Sequence, residues 1–105
     1  MNRKAASALA ELGPRAAACA DFLKGLANEH RLLILCALSE GPKNVTALIA
    51  ATGIAPTSMS QHLAKLKAEG IVAFARDHRT LTYSIIHPAT AQIMRTLHSH
   101  FCKEA

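Results

Sequence analysis

The chain has 105 residues, half of them apolar, with no Trp and 4% aromatic residues. That length supports one compact domain rather than two, and a core of Leu, Ile, Val, Ala and Met suits helices better than a sandwich. Twelve Lys and Arg against seven Asp and Glu give a formal net charge of +5, which favours an anionic partner, above all nucleic acid.

The chain opens with "MNRKAASALAELGPRAAACA". Glu11, Gly13, Pro14 and Arg15 interrupt it before a signal-peptide core can form. No later apolar run reaches the roughly 18 residues of a membrane span, so no membrane association is predicted. The three cysteines, Cys19, Cys36 and Cys102, are odd in number and widely spaced. They match neither a secreted disulfide framework nor a CxxC zinc knuckle, and a cytoplasmic protein is expected.

Residues 1–13 are Ala-rich and read as a flexible or loosely helical lead, punctuated by Gly13-Pro14. Residues 14–105 read as the folded domain. From Arg15 to Leu26 helix formers dominate, with Ala18, Phe22 and Leu26 at i, i+4, i+8 spacing. Asn28 is a good N-cap for the next helix, and Glu29 suits its first turn. "RLLILCAL" follows, apolar almost all round, which predicts a central and buried helix. Gly41-Pro42 ends it.

Asn44 caps a short helix over Val45–Thr52, stopped by Gly53. In "IAPTSMSQHLAKLKAEG", Pro56 fits the first helical position and Gly70 terminates. Met59, Leu63 and Leu66 fall on one stripe of this helix. Thr57, Gln61, Ala64, Lys65 and Ala68 take the opposite face, flanked by Ser58 and Ser60, with His62 nearer the core edge. The period then changes to two: "IVAFAR" and "TLTYSII" predict a hairpin with the polar tip Asp77, His78 and Arg79. Pro88 opens a last helix, with Ile93, Leu97 and Phe101 on one face. Two copies sharing such a face would bury more apolar surface, so a homodimer is expected.

The predicted fold is mainly α with a small β-hairpin wing: a winged helix-turn-helix in the order α-α-α-α-β-β-α. The helix over 56–69 has what a DNA-reading helix needs, an apolar stripe to dock on its own domain and a polar face with small residues. Gln61 carries an amide suited to adenine edges. Thr57, Ser58, Ser60, His62 and Lys65 suit phosphate or base contacts, and Arg76, His78 and Arg79 at the wing would reach backbone or minor groove. A merely solvated helix face and a plain charged hairpin turn are the alternatives.

"LANEHRLLILCAL", "SMSQHLAKLKAEGIV" and the "TLTYSI" hairpin resemble the ArsR family of small winged-helix, homodimeric bacterial repressors. The resemblance runs from about Leu23 to Cys102. It implies a dimer joined through its first and last helices, bound to near-palindromic operator DNA and released by an inducer. No acidic orienter or Gly-rich anion cradle accompanies Cys102, so no enzymatic activity is expected, and no cofactor is predicted.

The residues leave several inducers open. The helix before the reading helix, "NVTALIAAT", holds no Cys, so the family's arsenic or cadmium type of site is missing. His87 and His100 match part of a last-helix metal site, but Ala89 and Lys103 fall where further ligands are needed, and a Lys among four zinc donors is unfavourable. No metal site is predicted, with a metal sensor using last-helix histidines kept as an alternative. The pair "ILCAL" around Cys36 and "FCKE" around Cys102 resembles the SqrR/BigR-like, sulfide-responsive branch of the family. That resemblance implies that Cys36 and Cys102 sense reactive sulfur species: a disulfide or polysulfide crosslink between them weakens DNA binding. Cys102, the more exposed in expectation, would attack first and Cys36 resolve. A direct disulfide needs Cα atoms within about 7 Å, whereas inserted sulfur relaxes that limit. A general peroxide sensor, an enzyme using Cys102 with His98 or His100, and a switchless DNA binder remain as other readings. Cys19 reads as a core or interface residue.

Overall fold

Asn28 and Asn44 act at the two places where the chain turns into its central helices. Each has extended backbone, and its side-chain oxygen accepts a backbone N–H three residues on, from Arg31 at 3.2 Å and from Ala47 at 2.8 Å. Both are N-caps that satisfy a donor the helix cannot satisfy itself.

The computed structural model describes residues 3–102, with side chains described from Ser7 onward. Helix α1 (Arg3–Leu12) leads through a 3-10 turn (Gly13–Arg15) into α2 (Ala16–Leu26) and α3 (Glu29–Leu38). A short strand β1 (Lys43–Asn44) precedes α4 (Val45–Thr52) and α5 (Pro56–Ala68). Strands β2 (Val72–Asp77) and β3 (Thr80–Ile85) form the wing, and α6 (Pro88–Phe101) closes the described chain. The lead expected to be flexible or loosely helical is helical from Arg3. Lys103 and Glu104 of the "FCKE" stretch lie outside the described residues.

The fold is the expected winged helix-turn-helix, with one addition. The sheet has three strands in the order β1-β3-β2, all antiparallel. Lys43 faces Tyr83 and Asn44 faces Thr82, so β1 covers the β3 edge that a bare hairpin would expose. Across the wing, Val72 faces Ile85 and Phe74 faces Tyr83, with ring centroids 5.4 Å apart. Asp77 pairs with Thr80, so the turn is only His78 and Arg79, not the three residues read from sequence.

The core sits where α3, α4, α5 and the sheet meet. Ile34, Leu35, Leu48, Met59, Leu63, Leu66, Ile71 and Val72 are fully buried. The stripe read on α5 is therefore the docking stripe. Ile54, also buried, anchors the turn between α4 and α5, and Thr52 braces it by donating its hydroxyl to the Leu48 carbonyl while accepting from the Ile54 N–H. The far end of α5 closes with Gly70 at φ 72, a backbone region that costs a side-chain-bearing residue about 1 kcal/mol or more. Gly70 N–H donates to the Lys67 carbonyl and Ile71 N–H to Leu66, and the buried side chains of Leu66 and Ile71 seal the cap.

Three helices are less buried in the single chain than their apolar patterns alone would make them. Ala18 is exposed, so only Phe22 and Leu26 of the α2 stripe point inward. On α6, Ile93 and Leu97 are half-buried and Phe101 is 80% exposed. The third case is α3, expected to be buried all round: Ile34, Leu35, Ala37 and Leu38 are buried, but Leu33 and Cys36 are exposed. No helix among the described residues is long and apolar enough to cross a membrane.

Candidate DNA-reading face and thiol groove

With Met59, Leu63 and Leu66 turned inward, geometry forces the polar side of α5 outward. Thr57, Ser60, Gln61, Ala64, Lys65 and Ala68 are exposed, and Ser58 is half-buried. Lys65 Nζ pairs with Glu69 at 3.3 Å, an exposed contact that water and salt weaken. His62 does not share the open face. It is half-buried, its Nδ1 lies 3.4 Å from Arg31 Nη1, and its ring meets His30 edge-on at 5.3 Å. Burial, then the Arg31 and His30 charges, holds the His62 pKa below its ordinary value of 6.5.

The wing presents Arg76, His78 and Arg79, all exposed. His78 has φ 57, the left-handed region that a residue with a Cβ enters at a cost. Lys67 Nζ lies 5.4 Å from the centre of the Phe74 ring, a cation–π contact joining α5 to β2. Sequence periodicity gave no sign of this contact, because Lys67 and Phe74 belong to elements with different periods. It likewise gave no sign of the Arg31 contacts, which reach two other helices.

The cysteines meet differently. Cys36 lies in the last turn of α3, and Cys102 follows α6, its N–H donating to the His98 carbonyl at 2.9 Å. Both line one open groove of about 1240 Å³ between α3, the end of β3 and α6. Its walls are largely apolar, including Leu33, Ile86, Met94 and Phe101, while Arg95 and His98 add polar groups. Cys36 was expected in the core and is instead exposed on this wall; all three cysteines are free thiols. Cys19, expected in the core or an interface, is exposed on α2 and outside the groove.

Of the two histidines weighed for a last-helix metal site, His100 is exposed and His87 has other work. His87 Nδ1 accepts the Ala89 N–H at 3.2 Å as the cap of α6, and its ring stacks on Phe22 at 4.2 Å. Among the described residues no group of three or more His, Cys, Asp or Glu gathers at metal-binding distances.

An exposed polar helix, a braced turn before it and a basic wing beside it define a winged-helix DNA-binding protein. The family model for bacterial regulatory proteins of the arsR family matches residues 28–73. The HTH-type transcriptional regulator YgaV of Escherichia coli K12 is 38% identical over 95 residues, covering 90% of this chain and 96% of that protein. The crystal structure of the transcriptional repressor BigR from Xylella fastidiosa superposes with a TM-score of 0.84 at 31% identity, covering 99% of this chain and 100% of that one. Reduced HlyU from Vibrio cholerae superposes with a TM-score of 0.81 at 30% identity, covering 89% and 98% of the two chains. The chain belongs to the arsR family of bacterial transcriptional regulators.

Proposed function

We propose that the protein is a homodimeric, cytoplasmic transcriptional repressor whose Cys36 and Cys102 sense reactive sulfur and release operator DNA when they are bridged. One observation carries the reading: thiols from distant parts of the chain line the same groove. The likeness to a repressor and to a protein solved in a reduced form supports it. Residues 14–105 serve as the DNA-binding and dimerising domain and 1–13 as its lead. The first and last helices join the two copies, and Leu33, Ile86 and Phe101, exposed in the single chain, add apolar surface to that pairing. Thr57, Ser58, Ser60, Gln61 and Lys65 contact the duplex, with His62 at their edge and Arg76, His78 and Arg79 on the flanking backbone.

The chemistry balances with an organic persulfide as oxidant. The Cys102 thiolate takes the outer sulfur, giving Cys102–S–SH and a free thiol. Cys36 then attacks the inner sulfur, expelling hydrosulfide and leaving a disulfide. If both cysteines are persulfidated first, their condensation expels one hydrogen sulfide and leaves a trisulfide. The bridge ties α6 to α3. A swing in DNA-bound population from 99:1 to 1:99 needs about 5.5 kcal/mol of differential stabilisation, a scale open to a covalent tether.

Intact-mass analysis after separate exposure to peroxide and to an organic persulfide tests this, with DNA binding followed in parallel. A linked Cys36–Cys102 peptide is expected with DNA release, either two hydrogens lighter as a disulfide or carrying added sulfur in steps of about 32 daltons. DNA release without that linkage sinks the reading.

A further inference from the structure

Among the described residues, Arg31 makes the most side-chain hydrogen bonds. Its Nε donates to the Gly25 carbonyl at 2.6 Å and its Nη2 to the Lys24 carbonyl at 3.2 Å, so it caps the C-terminal end of α2. Its remaining arm, Nη1, reaches His62 on α5. The arrangement is held from behind. A Cβ on Gly25 would stand 2.8 Å from Ile71 Cδ1 and 3.3 Å from Glu69 Cγ, so the end of α2 is pressed against the corner after α5. Three helices thus converge on one guanidinium.

The guanidinium has only donors and keeps its charge at any physiological pH. His62 Nδ1 must therefore be the acceptor, with the ring proton on Nε2. Protonating Nδ1 would set two cationic donors face to face. The charged and titratable groups facing His62 are Arg31 and His30, both from α3; the adjoining end of α2 presents the Lys24 and Gly25 carbonyls. On its own helix, Lys65 is turned to Glu69.

We propose that Arg31 and His62 are a positioning pair for DNA binding: the neutral imidazole, accepting from the guanidinium, seats the reading helix α5 against α3, the helix that carries Cys36. This rests on the reading of α5 as the DNA-contacting helix. Burial and the neighbouring cations depress the His62 pKa, so the folded protein binds fewer protons here than the unfolded chain. The stabilising arrangement is fully present above the ordinary pKa of about 6.5 and is lost as pH falls from there through the depressed value.

The test uses a labelled duplex enriched from a random pool by the wild-type protein at neutral pH. Its affinity is measured at constant ionic strength between about pH 7.5 and 5.5, spanning the histidine range. His62→Asn puts a non-titrating acceptor near the place of Nδ1, and His62→Leu removes it. Circular dichroism and thermal melts establish that each variant is folded. Expected at the upper pH is an Asn variant within about twofold of wild type and a Leu variant about tenfold weaker, the scale of one lost hydrogen bond to a charged group. Acidification should weaken wild type about tenfold more than His62→Asn. If His62→Leu does not fold, the pH comparison with His62→Asn decides. Parallel pH profiles for wild type and His62→Asn overturn the proposal. So does tighter binding of wild type alone on acidification, which would make protonated His62 a phosphate contact. If Lys65→Ala and Gln61→Ala bind like wild type, the reading of α5 itself fails and the pair with it. If those two weaken binding while His62 variants do not, only the pair fails.

Discussion

Cys36 and Cys102 stand on two walls of one apolar groove, the first from the last turn of α3 and the second from the cap of α6. Both are exposed in the single chain. A bond between them would fix the angle between the helix packed beside the DNA-reading unit and the helix that carries the exposed Phe101.

Serine replacement at either position should leave DNA binding intact and abolish its release by persulfide. Electrophoretic mobility with and without the donor checks this. Cys19→Ser should respond like wild type, because Cys19 lies outside the groove.

DNA affinity should fall steeply with salt, with a log–log slope of about −0.9 per phosphate contacted. Lys65→Ala should reduce that slope by about one and weaken binding to all sequences alike. Gln61→Ala should cost about 1–3 kcal/mol and relax preference at one base position. Fluorescence anisotropy over a salt series and a set of single-base variants reads both.

Leu63→Ala should destabilise the fold by about 2–5 kcal/mol, because Leu63 is buried at the contact of α5 with the core and the cavity cannot collapse freely. Leu33→Ala should cost the single chain far less, since Leu33 is 44% exposed. It should instead shift the dimer equilibrium. Urea denaturation separates the first effect, and sedimentation at several protein concentrations the second.

His78→Gly should raise stability by up to about 1 kcal/mol by relieving the left-handed backbone at the wing tip, partly offset by the added freedom of the unfolded chain. Thermal melts check this. If His78 contributes to DNA contact, the same variant binds DNA more weakly while being more stable.

Much of the fold was legible because its punctuation is local. Asn28 and Asn44 as caps, Gly70 as a terminator and Pro56 and Pro88 as helix openers act through backbone groups within a few residues. Strand β1 was not legible: Lys43 and Asn44 show no period and pair only because β3 offers an edge. Arg31 was missed for a related reason, since its partners at Lys24, Gly25 and His62 are assembled by three helices.

The sequence by itself determined the order and kind of the main elements and the polar face of α5, since alternation and capping are properties of neighbouring residues. Which side of α3 faces the core was settled only in three dimensions. A helix apolar almost all round carries no angular signal, so packing against α4, α5 and the sheet chose Ile34, Leu35 and Leu38 for the interior and turned Cys36 outward. The same packing brought Cys36 to the groove that Cys102 shares, because only tertiary structure can bring together residues that chain spacing keeps apart.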